Sequence, residues 1–234
     1  MAAILVIDDD EMVARSIELS LRHSGFHVSV SHSGVVGLKA ARREPPDLVI
    51  LDIIMPGMDG YEVCRQLRAD PFLTNVPVLF LTARSKDEDK IEGFRVGGDD
   101  YLTKPFNIDE LILRVKAILR RNQPQRMQAS RQAHILKAGG LVLNCRTFEV
   151  TTPYKQAVLT PIQFDLLYYL MSRPGQVFAA ERLLRDVWDY PFDAGSPDLV
   201  RVHVRNIRER IEPDPTNPIF LCTVPGHGYT ISNE

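Results

Sequence analysis

Several polar side chains in the first half of this 234-residue chain closely follow short apolar runs. They are three consecutive aspartates, a single aspartate, a threonine and a lysine: Asp8, Asp9, Asp10, Asp52, Thr82 and Lys104. Carboxylate oxygens are the ligands that Mg²⁺ prefers, and an ammonium and a hydroxyl group donate hydrogen bonds to phosphoryl oxygens. If these residues meet in the fold, they predict a site for a divalent cation and a phosphoryl group.

The elements around these residues are predicted to bring them together. Short apolar runs alternate with amphipathic stretches of helical period, which is typical of a doubly wound α/β fold with a five-stranded parallel sheet. The predicted strands are Ile4–Ile7, Val28–Val30, Leu48–Leu51, Val76–Leu81 and Asp100–Leu102. The predicted helices are Met12–Ser24, Ser33–Glu44, Gly60–Ala69, Lys86–Gly97 and Ile108–Arg121. Because parallel strands end at one crevice, we expect the polar residues to line it.

The crevice has the chemistry of phosphoryl transfer. Asp9 and Asp52 are the predicted Mg²⁺ ligands, with Asp8 one shell behind them. The carboxylate of Asp52 can attack an activated phosphoryl donor and become an aspartyl phosphate. Lys104 would bring a mobile positive charge to the phosphoryl oxygens.

Two further residues are predicted to respond to the phosphate, and structural alternatives stay open. Thr82 can donate to phosphate only when phosphate is present, and Tyr101 could move inward when Thr82 shifts. Alternatively, Asp10 is a helix N-cap, Asp52 opens a turn, Lys104 is a loop lysine and Tyr101 is a core aromatic. Each residue alone is a weak indication, whereas all of them in order at strand ends form a specific pattern.

Composition limits the class of protein. Residues 1–121 hold 19 acidic and 16 basic side chains and residues 122–234 hold 11 and 12, so a nucleic-acid site must depend on local basic clustering. The cysteines Cys64, Cys145 and Cys222 lack CxxC spacing and predict a reduced, cytoplasmic chain. No signal peptide or transmembrane helix is predicted, because no apolar run approaches about 18 residues.

The second half of the chain is predicted to form an α+β domain at residues 135–234, after a polar linker at residues 122–134. Its predicted strands are Leu141–Leu143, Thr147–Val150 and Ala157–Leu159. Its predicted helices start at Thr160-Pro161, span Ala180–Trp188, and span about Pro197–Glu212. The last two predicted strands, Ile219–Val224 and Tyr229–Ile231, form a hairpin around Gly226-His227-Gly228 that could serve as a wing.

The helix at about residues 197–212 carries the strongest indication of nucleic-acid binding. Its predicted buried seam consists of Val200, Val204, Ile207 and Ile211. A parallel stripe about a quarter turn away consists of Arg201, Arg205 and Arg208. Guanidinium groups suit phosphates and guanine edges in a major groove. The open alternative is a solvated cationic face balanced by Glu209 or Asp198.

Residues 4–121 resemble the receiver domain of two-component response regulators over essentially their whole length. The matching stretches are Ile4–Asp9, Pro46–Asp52, Met55–Gly60, Leu81–Arg84 and Gly98–Phe106. The resemblance implies that Asp52 accepts phosphate from a sensor histidine kinase and that Asp9, Asp52 and the Ile54 carbonyl hold Mg²⁺. It also implies a cis Lys104–Pro105 peptide and a switch pair formed by Thr82 and Tyr101.

The face formed by the fourth predicted helix, fifth strand and fifth helix resembles the dimer surface of the OmpR/PhoB-type subfamily. The resemblance implies charge pairing across a twofold axis by Lys90, Asp100, Glu110 and Arg114 and an apolar centre of Ile91, Phe94 and Ile112. Arg95 and Lys116 depart from the pattern, because this family often places an acid opposite a base there. A like-charge pair would weaken that dimer or shift its register.

Residues 141–232 resemble the winged-helix output domain of the same subfamily. The matching stretches are Leu159–Leu167, Leu183–Trp188, Val202–Arg208 and Gly226–Tyr229. The resemblance implies binding of a dimer to direct-repeat DNA half-sites and contact between the loop at Asp189–Pro197 and RNA polymerase. The residues predicted to contact DNA are Arg201, His203, Arg205, Asn206, Arg208 and His227. Asp198, Arg201 and Pro225 depart from the family pattern, so the target sequence does not follow.

The predicted function is a phosphorylation-dependent, DNA-binding transcriptional regulator that is not an enzyme. Phosphate on Asp52 would promote dimerisation and thereby DNA binding. Two alternatives remain: a regulator that binds DNA regardless of phosphate, and a Mg²⁺-dependent phosphatase that uses the pattern Asp8-x-Asp10 with an aspartyl nucleophile.

Overall fold

A parallel sheet of five strands forms the centre of the first part of the chain. The structure is a computed structural model that describes residues 1–82, 96–121, 135–190 and 196–232. The strands are β1 Ala3–Ile7, β2 His27–Ser31, β3 Leu48–Asp52, β4 Val78–Thr82 and β5 Asp100–Thr103. Their spatial order is β2-β1-β3-β4-β5 with parallel pairing throughout, which confirms the predicted doubly wound fold class.

Helices cover both faces of this sheet. Those described are α1 Glu11–His23, α2 Gly34–Arg43, α3 Gly60–Ala69 and α4 Ile108–Arg121. On one face, α1 and α4 pack in a cluster with Val6, Ile50 and Leu81. On the other face, Gly37 of α2 lies so close to Ile7 that a Cβ atom would overlap the isoleucine side chain. Coverage of both faces explains why the central strands read as almost continuous apolar runs.

The element bounds agree closely with the prediction, with two exceptions. Strand β4 begins at Val78 instead of Val76, because Pro77 has no N–H group to donate to the ladder. Most of the predicted helix Lys86–Gly97 lies at residues 83–95, outside the described residues, and the described Val96 and Gly97 form a turn.

One half-buried arginine, Arg68, fixes the approach to β5. The guanidinium of Arg68 donates to the carbonyls of Thr74, Val76 and Gly97 and to Asp99 Oδ2, at distances of 2.6–3.1 Å. The same Asp99 oxygen accepts from the backbone N–H of Val78 at 2.8 Å. Arg68 therefore joins α3 to the starts of β4 and β5, and no sequence pattern indicated this role.

The chain divides into two compact units, Met1–Arg120 and Arg121–Glu234, and the predicted linker at 122–134 lies outside the described residues. The second unit contains an antiparallel sheet in the order β6-β7-β8-β9 and an antiparallel hairpin β10-β11. The strands are β6 Ile135–Ala138, β7 Leu141–Asn144, β8 Glu149–Thr151, β9 Gln156–Val158, β10 Leu221–Val224 and β11 Gly228–Ile231. The helices described are α5 Pro161–Met171, α6 Ala180–Asp186 and α7 Pro197–Ile211.

Differences from the prediction in this unit have local causes. Strand β6 was not predicted, because Ile-Leu-Lys-Ala does not alternate apolar and polar residues. The predicted strand at Thr147–Val150 begins only at Glu149, because Phe148 lies in a turn with a φ of 59°. Helix α6 ends at Asp186, and Trp188, predicted as its last residue, is fully buried beyond the helix end.

Strand β11 of the hairpin is bonded to the segment that precedes α6. The backbone groups of Phe178 and Tyr229 exchange two hydrogen bonds of 2.9 Å, and Gly175 N–H donates to Ile231 at 3.0 Å. Gly228, with a φ of 128°, lies against the Phe178 carbonyl so closely that no Cβ atom would fit. The segment before α6 therefore pairs with β11 through a single antiparallel bridge.

Glu212, which follows α7, connects that helix to the start of β10. Its fully buried carboxylate accepts from the backbone N–H groups of Ile219, Phe220 and Leu221 at 2.8–3.3 Å. Such charge-assisted hydrogen bonds satisfy three backbone donors at once.

In the parts of the chain that the structure covers, no helix combines the length and the apolar character required to cross a membrane.

Glu212→Gln is expected to destabilise the second unit by about 2 kcal/mol, because the amide replaces an accepting oxygen with a donor that faces backbone N–H groups. The change is measured by urea unfolding of the full chain followed by the fluorescence of Trp188. Glu181→Gln, at an exposed position of α6, is the matched control and should change stability by less than about 0.5 kcal/mol. Equal stability of the two variants would contradict the role of Glu212.

Candidate functional site

The predicted pocket residues lie at the carboxyl edge of the parallel sheet. Asp8 and Asp9 directly follow β1, Asp52 ends β3, Thr82 ends β4 and Lys104 follows β5. The register pairs Ile7 with Leu51, Asp52 with Leu81 and Thr82 with Thr103, so these strand ends are level with one another. The fold therefore brings the residues of the pattern to one edge.

The geometry of the pocket centres on one lysine. Lys104 Nζ donates to Asp8 Oδ2 at 2.8 Å and to Asp52 Oδ2 at 2.9 Å. One carboxylate oxygen from each of Asp8, Asp9 and Asp52 lies within 4.8 Å of the other two. Asp8 and Asp52 are buried, whereas Asp9 is exposed, so the cluster opens to solvent on the Asp9 side. The Lys104–Pro105 peptide is cis, which confirms that part of the prediction.

Burial and crowding shift the protonation equilibria in the pocket. Burial raises the pKa of the Asp52 carboxyl above its ordinary value, the charge of Asp8 adds to the rise, and Lys104 opposes it. Burial would lower the pKa of Lys104, but hydrogen bonds to Asp52 and Asp8 outweigh it and raise that pKa. Lys104 therefore remains cationic, while the charge of Asp52 is only partly compensated.

The donor set fits a hard divalent cation. Mg²⁺ prefers one or two carboxylates together with waters and phosphoryl oxygens. Asp8 and Asp52 each accept from Lys104 and from one backbone N–H group, so these hydrogen bonds do not separate them as ligands. Asp9 is the exposed carboxylate of the three, and the assignment of Asp9 and Asp52 as direct ligands with Asp8 behind them stays a prediction. Ile54, whose carbonyl was the predicted backbone ligand, is exposed beside Asp52.

Asp10 does not belong to the pocket. Its Oδ1 accepts from the backbone N–H groups of Met12 and Val13 at 2.9 and 3.1 Å, so it is the N-cap of α1. The phosphatase alternative needs Asp10 as a second catalytic carboxylate, and its capping role argues against that alternative.

Thr82 and Tyr101 lie on neighbouring strands close to the pocket. Thr82 is buried at the end of β4, and Tyr101 on β5 is 8% exposed. The ring of Tyr101 lies 5.2 Å from the ring of Phe80, its register partner on β4. The tyrosine thus occupies an inward position in this structure.

Charged residues predicted for the dimer face pair within the chain. Arg114 Nη1 donates to both oxygens of the buried Asp100 at 3.0 Å, and Arg114 Nη2 to Glu110 at 2.6 Å. Ile112 is half-buried and Lys116 is exposed on the same helix. The remaining predicted residues lie outside the described residues: Lys90, Ile91, Phe94 and Arg95.

Helix α7 presents a narrow solvent-facing stripe. Asp198, Arg201 and Arg205 are exposed, and Val200, Val204, Ile207 and Ile211 form the buried seam as predicted. Two ion pairs run along the stripe, Arg201 with Asp198 and Arg205 with Glu209. The balancing acids foreseen as an alternative are therefore present on the same face as the arginines.

Two residues predicted to contact DNA face the interior. His203 is 0% and Asn206 4% exposed, and the His203 ring lies 5.4 Å from the ring of Trp188. Each stands within one helical turn of the apolar seam, so the packing that buries the seam also buries it. The structure contradicts a direct contact of either side chain with DNA in this conformation.

Arg208 connects α7 to the hairpin, and His227 lies at the hairpin turn. Arg208 Nε donates to the Leu221 carbonyl at 2.8 Å and its Nη2 to Thr223 Oγ1 at 2.7 Å. Burial lowers the pKa of the Arg208 guanidinium. His227 is exposed at the hairpin turn. Arg208 is therefore largely engaged with β10, while Arg201, Arg205 and His227 face solvent. Of the predicted polymerase loop, residues 191–195 lie outside the described residues.

Comparison with known proteins identifies both units. Residues 4–116 match the family of the response regulator receiver domain, and residues 155–231 match that of the transcriptional regulatory protein, C terminal. The chain is 40% identical over 231 residues to the DNA-binding dual master transcriptional regulator RpaA of Synechocystis sp., covering 99% of this chain and 95% of that protein. It is 42% identical over 226 residues to the DNA-binding response regulator MtrA of Mycobacterium tuberculosis, covering 97% and 95%.

The chain is also similar to a solved structure of a two-domain response regulator. The response regulator DrrB of Thermotoga maritima, described as an OmpR/PhoB homologue, is 32% identical with a TM-score of 0.53 over 99% of each chain. The chain therefore belongs to the response regulators that join a receiver domain to a C-terminal transcriptional regulatory domain. It is a DNA-binding transcriptional regulator of a two-component system, of the OmpR/PhoB type.

Mg²⁺ is expected to stabilise the first unit, because a ligand that binds only the folded state adds about 2.7 kcal/mol at one hundred times its dissociation constant. Asp9→Asn should reduce this gain strongly, as it removes an exposed ligand of the cluster. The measurement is the unfolding midpoint as a function of Mg²⁺ concentration. Asp10→Asn is the matched control, since asparagine also caps helices and the Mg²⁺ response should persist. An unchanged response in Asp9→Asn would refute the assignment.

Asp52→Asn is expected to be more stable than the wild type at neutral pH without Mg²⁺. The folded-state pKa of Asp52 is raised above 3.8, so its contribution to stability is fully present below that pH and is lost as the pH rises through the folded pKa. The advantage of the variant should therefore shrink as the pH falls. Urea unfolding across a pH series measures it, with Asp10→Asn as the control for general acid effects. An advantage that does not change with pH would contradict the burial of an ionised Asp52.

Proposed function

We propose that Asp52 accepts a phosphoryl group from a sensor histidine kinase and that this event controls dimerisation and DNA binding. The observation that carries the proposal is the convergence of Lys104, Asp8, Asp9 and Asp52 at one end of the sheet. A pocket with this set of groups suits a phosphoryl group, which needs a nucleophile, a cation and a hydrogen-bond donor.

The transfer step forms one bond and breaks one. A carboxylate oxygen of Asp52 attacks phosphorus, and the bond between phosphorus and the donor's imidazole nitrogen breaks with its electron pair leaving on nitrogen. Bound Mg²⁺, held by Asp9, Asp52 and the Ile54 carbonyl, would supply charge neutralisation for the phosphoryl oxygens. Lys104 already bridges Asp8 and Asp52, so it can turn to a phosphoryl oxygen while it keeps its bond to Asp8.

The surroundings of the pocket support docking of a protein donor. A groove of about 520 Å³ beside Lys104 is lined by α1 and by the loop that follows β5, including Met12, Ile17 and Phe106. Met12 is 81% and Ile54 47% exposed, so apolar surface borders the pocket. A kinase helix that carries the donor histidine could bury this surface as it reaches Asp52.

The output of the switch is assigned to Thr82 and Tyr101. The Thr82 hydroxyl would donate to the new phosphate, and Tyr101 on the adjacent strand would be held in its inward position. Strand β5 also carries Asp100, whose partner Arg114 lies on α4. A change at β5 would thus reach the face proposed for homodimerisation, which includes Glu110, Ile112 and Arg114.

Dimerisation would then raise the effective concentration of paired second units on DNA. We assign the DNA-facing surface to Arg201 and Arg205 on α7, with His227 at the hairpin turn and Arg208 bracing the hairpin. The proposal further includes direct-repeat half-sites, contact with RNA polymerase and a cytoplasmic location. In it the chain acts as a regulator and not as an enzyme.

DNA binding independent of phosphate is the second candidate, favoured by the like charges of Arg95 and Lys116.

Incubation with Mg²⁺ and a small phosphodonor is expected to add one phosphoryl group to the wild type and none to Asp52→Asn. Intact mass detects the adduct, and light scattering should show a shift from monomer to dimer only for the modified protein. Asp59→Asn, at the cap of α3, is the matched control and should still be modified. An adduct on Asp52→Asn would refute the acceptor, and an adduct without dimerisation would favour the second candidate.

A further inference from the structure

The exposed stripe of α7 is zwitterionic, not simply basic. From the start of the helix it carries Asp198, Arg201, Arg205 and Glu209, and these residues form two ion pairs. Its net charge is therefore zero. Attraction to phosphates alone does not account for a DNA-facing stripe of this composition, because binding through phosphates needs uncompensated positive charge. The positive charge that remains on α7 belongs to the half-buried Arg208 and Arg210.

The first of the two pairs is exposed and preorganised. The side chains of Asp198 and Arg201 are 62% and 71% exposed. Asp198 Oδ1 accepts from Arg201 Nη1 at 2.5 Å, and Asp198 Oδ2 accepts from the Ser196 hydroxyl at 3.3 Å. Ser196 Oγ in turn accepts from Asp198 N–H at 3.2 Å. The carboxylate is thus held from two sides and retains further lone pairs that face solvent.

The position of this pair decides what it can contact. In helix-turn-helix proteins the N-terminal residues of the recognition helix reach base edges in the major groove. Asp198 and Arg201 lie in the first turns of α7, whereas Arg205 and Glu209 lie farther along it. The interior faces of the helix are closed to DNA, since His203 and Asn206 are buried.

We infer that Asp198 and Arg201 read sequence as a unit, Asp198 by accepting from a cytosine N4 amine and Arg201 by donating to a guanine. This inference rests on the proposed DNA-binding role of α7. A carboxylate is repelled by phosphates but is complementary to the cytosine amine, and a guanidinium is complementary to guanine O6 and N7. The Arg201 charge offsets the cost of bringing a carboxylate into the field of the DNA. Side chains three residues apart are neighbours, so both contacts fall within one or two adjacent base pairs.

The test is selection of binding sites by the full-length chain, first incubated with Mg²⁺ and a small phosphodonor, from a pool of random-sequence duplex DNA. Wild type is expected to enrich sites with a cytosine at one position of each half-site, preferred about tenfold over other bases. Asp198→Ala should reduce that preference to less than about twofold at that position alone. Asp198→Asn should move the preference to adenine, because an amide both accepts from adenine N6 and donates to N7.

Controls separate the inference from the function on which it rests. Glu181→Ala removes an acid from the first turn of α6 and should leave the selected sequence unchanged. Thermal unfolding of each variant shows that the second unit remains folded. A cytosine preference that survives in Asp198→Ala, with tighter binding to all sequences, would mean that the carboxylate only repels DNA and would overturn the inference alone. Absence of any enrichment by the phosphorylated wild type would overturn the proposed phosphorylation-dependent DNA-binding role of α7, and the inference with it.

Discussion

Electrostatic repulsion at one end of the parallel sheet is the constraint on which the first unit depends. The fold places Asp8, Asp9 and Asp52 within a few ångströms of one another, and two of these carboxylates are shielded from water. Lys104 donates hydrogen bonds to both buried carboxylates, Asp8 and Asp52, from its position directly after β5. The arrangement is therefore short of positive charge, which is the condition under which a divalent cation binds well.

In the second unit the constraint is different, because α7 is mostly buried and yet exposes charged side chains on one side. Helix α7 contributes Val200, Val204 and Ile207 to the core, and the same packing takes up His203. The solvent-facing side of α7 is a stripe in which two arginines, Arg201 and Arg205, are each paired with an acid. The surface of α7 that is available for recognition therefore consists of the side chains that the core leaves exposed, and these are few.

Much of this could be predicted from the sequence, for reasons that differ between the units. Buried parallel strands produce almost continuous apolar runs, so β1, β3 and the acids that follow them were recognisable. The half-exposed strand β6 has no such pattern and was missed. Arg68 was also missed, because its hydrogen bonds go to backbone carbonyls that carry no sequence signal. His203 and Asn206 were predicted to contact DNA but are buried in this structure, because helical spacing places them beside the arginine stripe, while tertiary packing decides which side of that stripe is covered.

The hydrogen bonds between the hairpin and the segment before α6 have a mechanical consequence. Phe178 and Tyr229 are far apart in the chain, yet their backbones exchange two hydrogen bonds in an antiparallel bridge. Arg208 fastens the opposite strand of the hairpin to α7. A force applied at the hairpin turn is therefore shared by two helices at once. Because both strands of the hairpin are bonded to the rest of the unit, we expect contacts made at its turn to bear also on the angle at which α7 is presented.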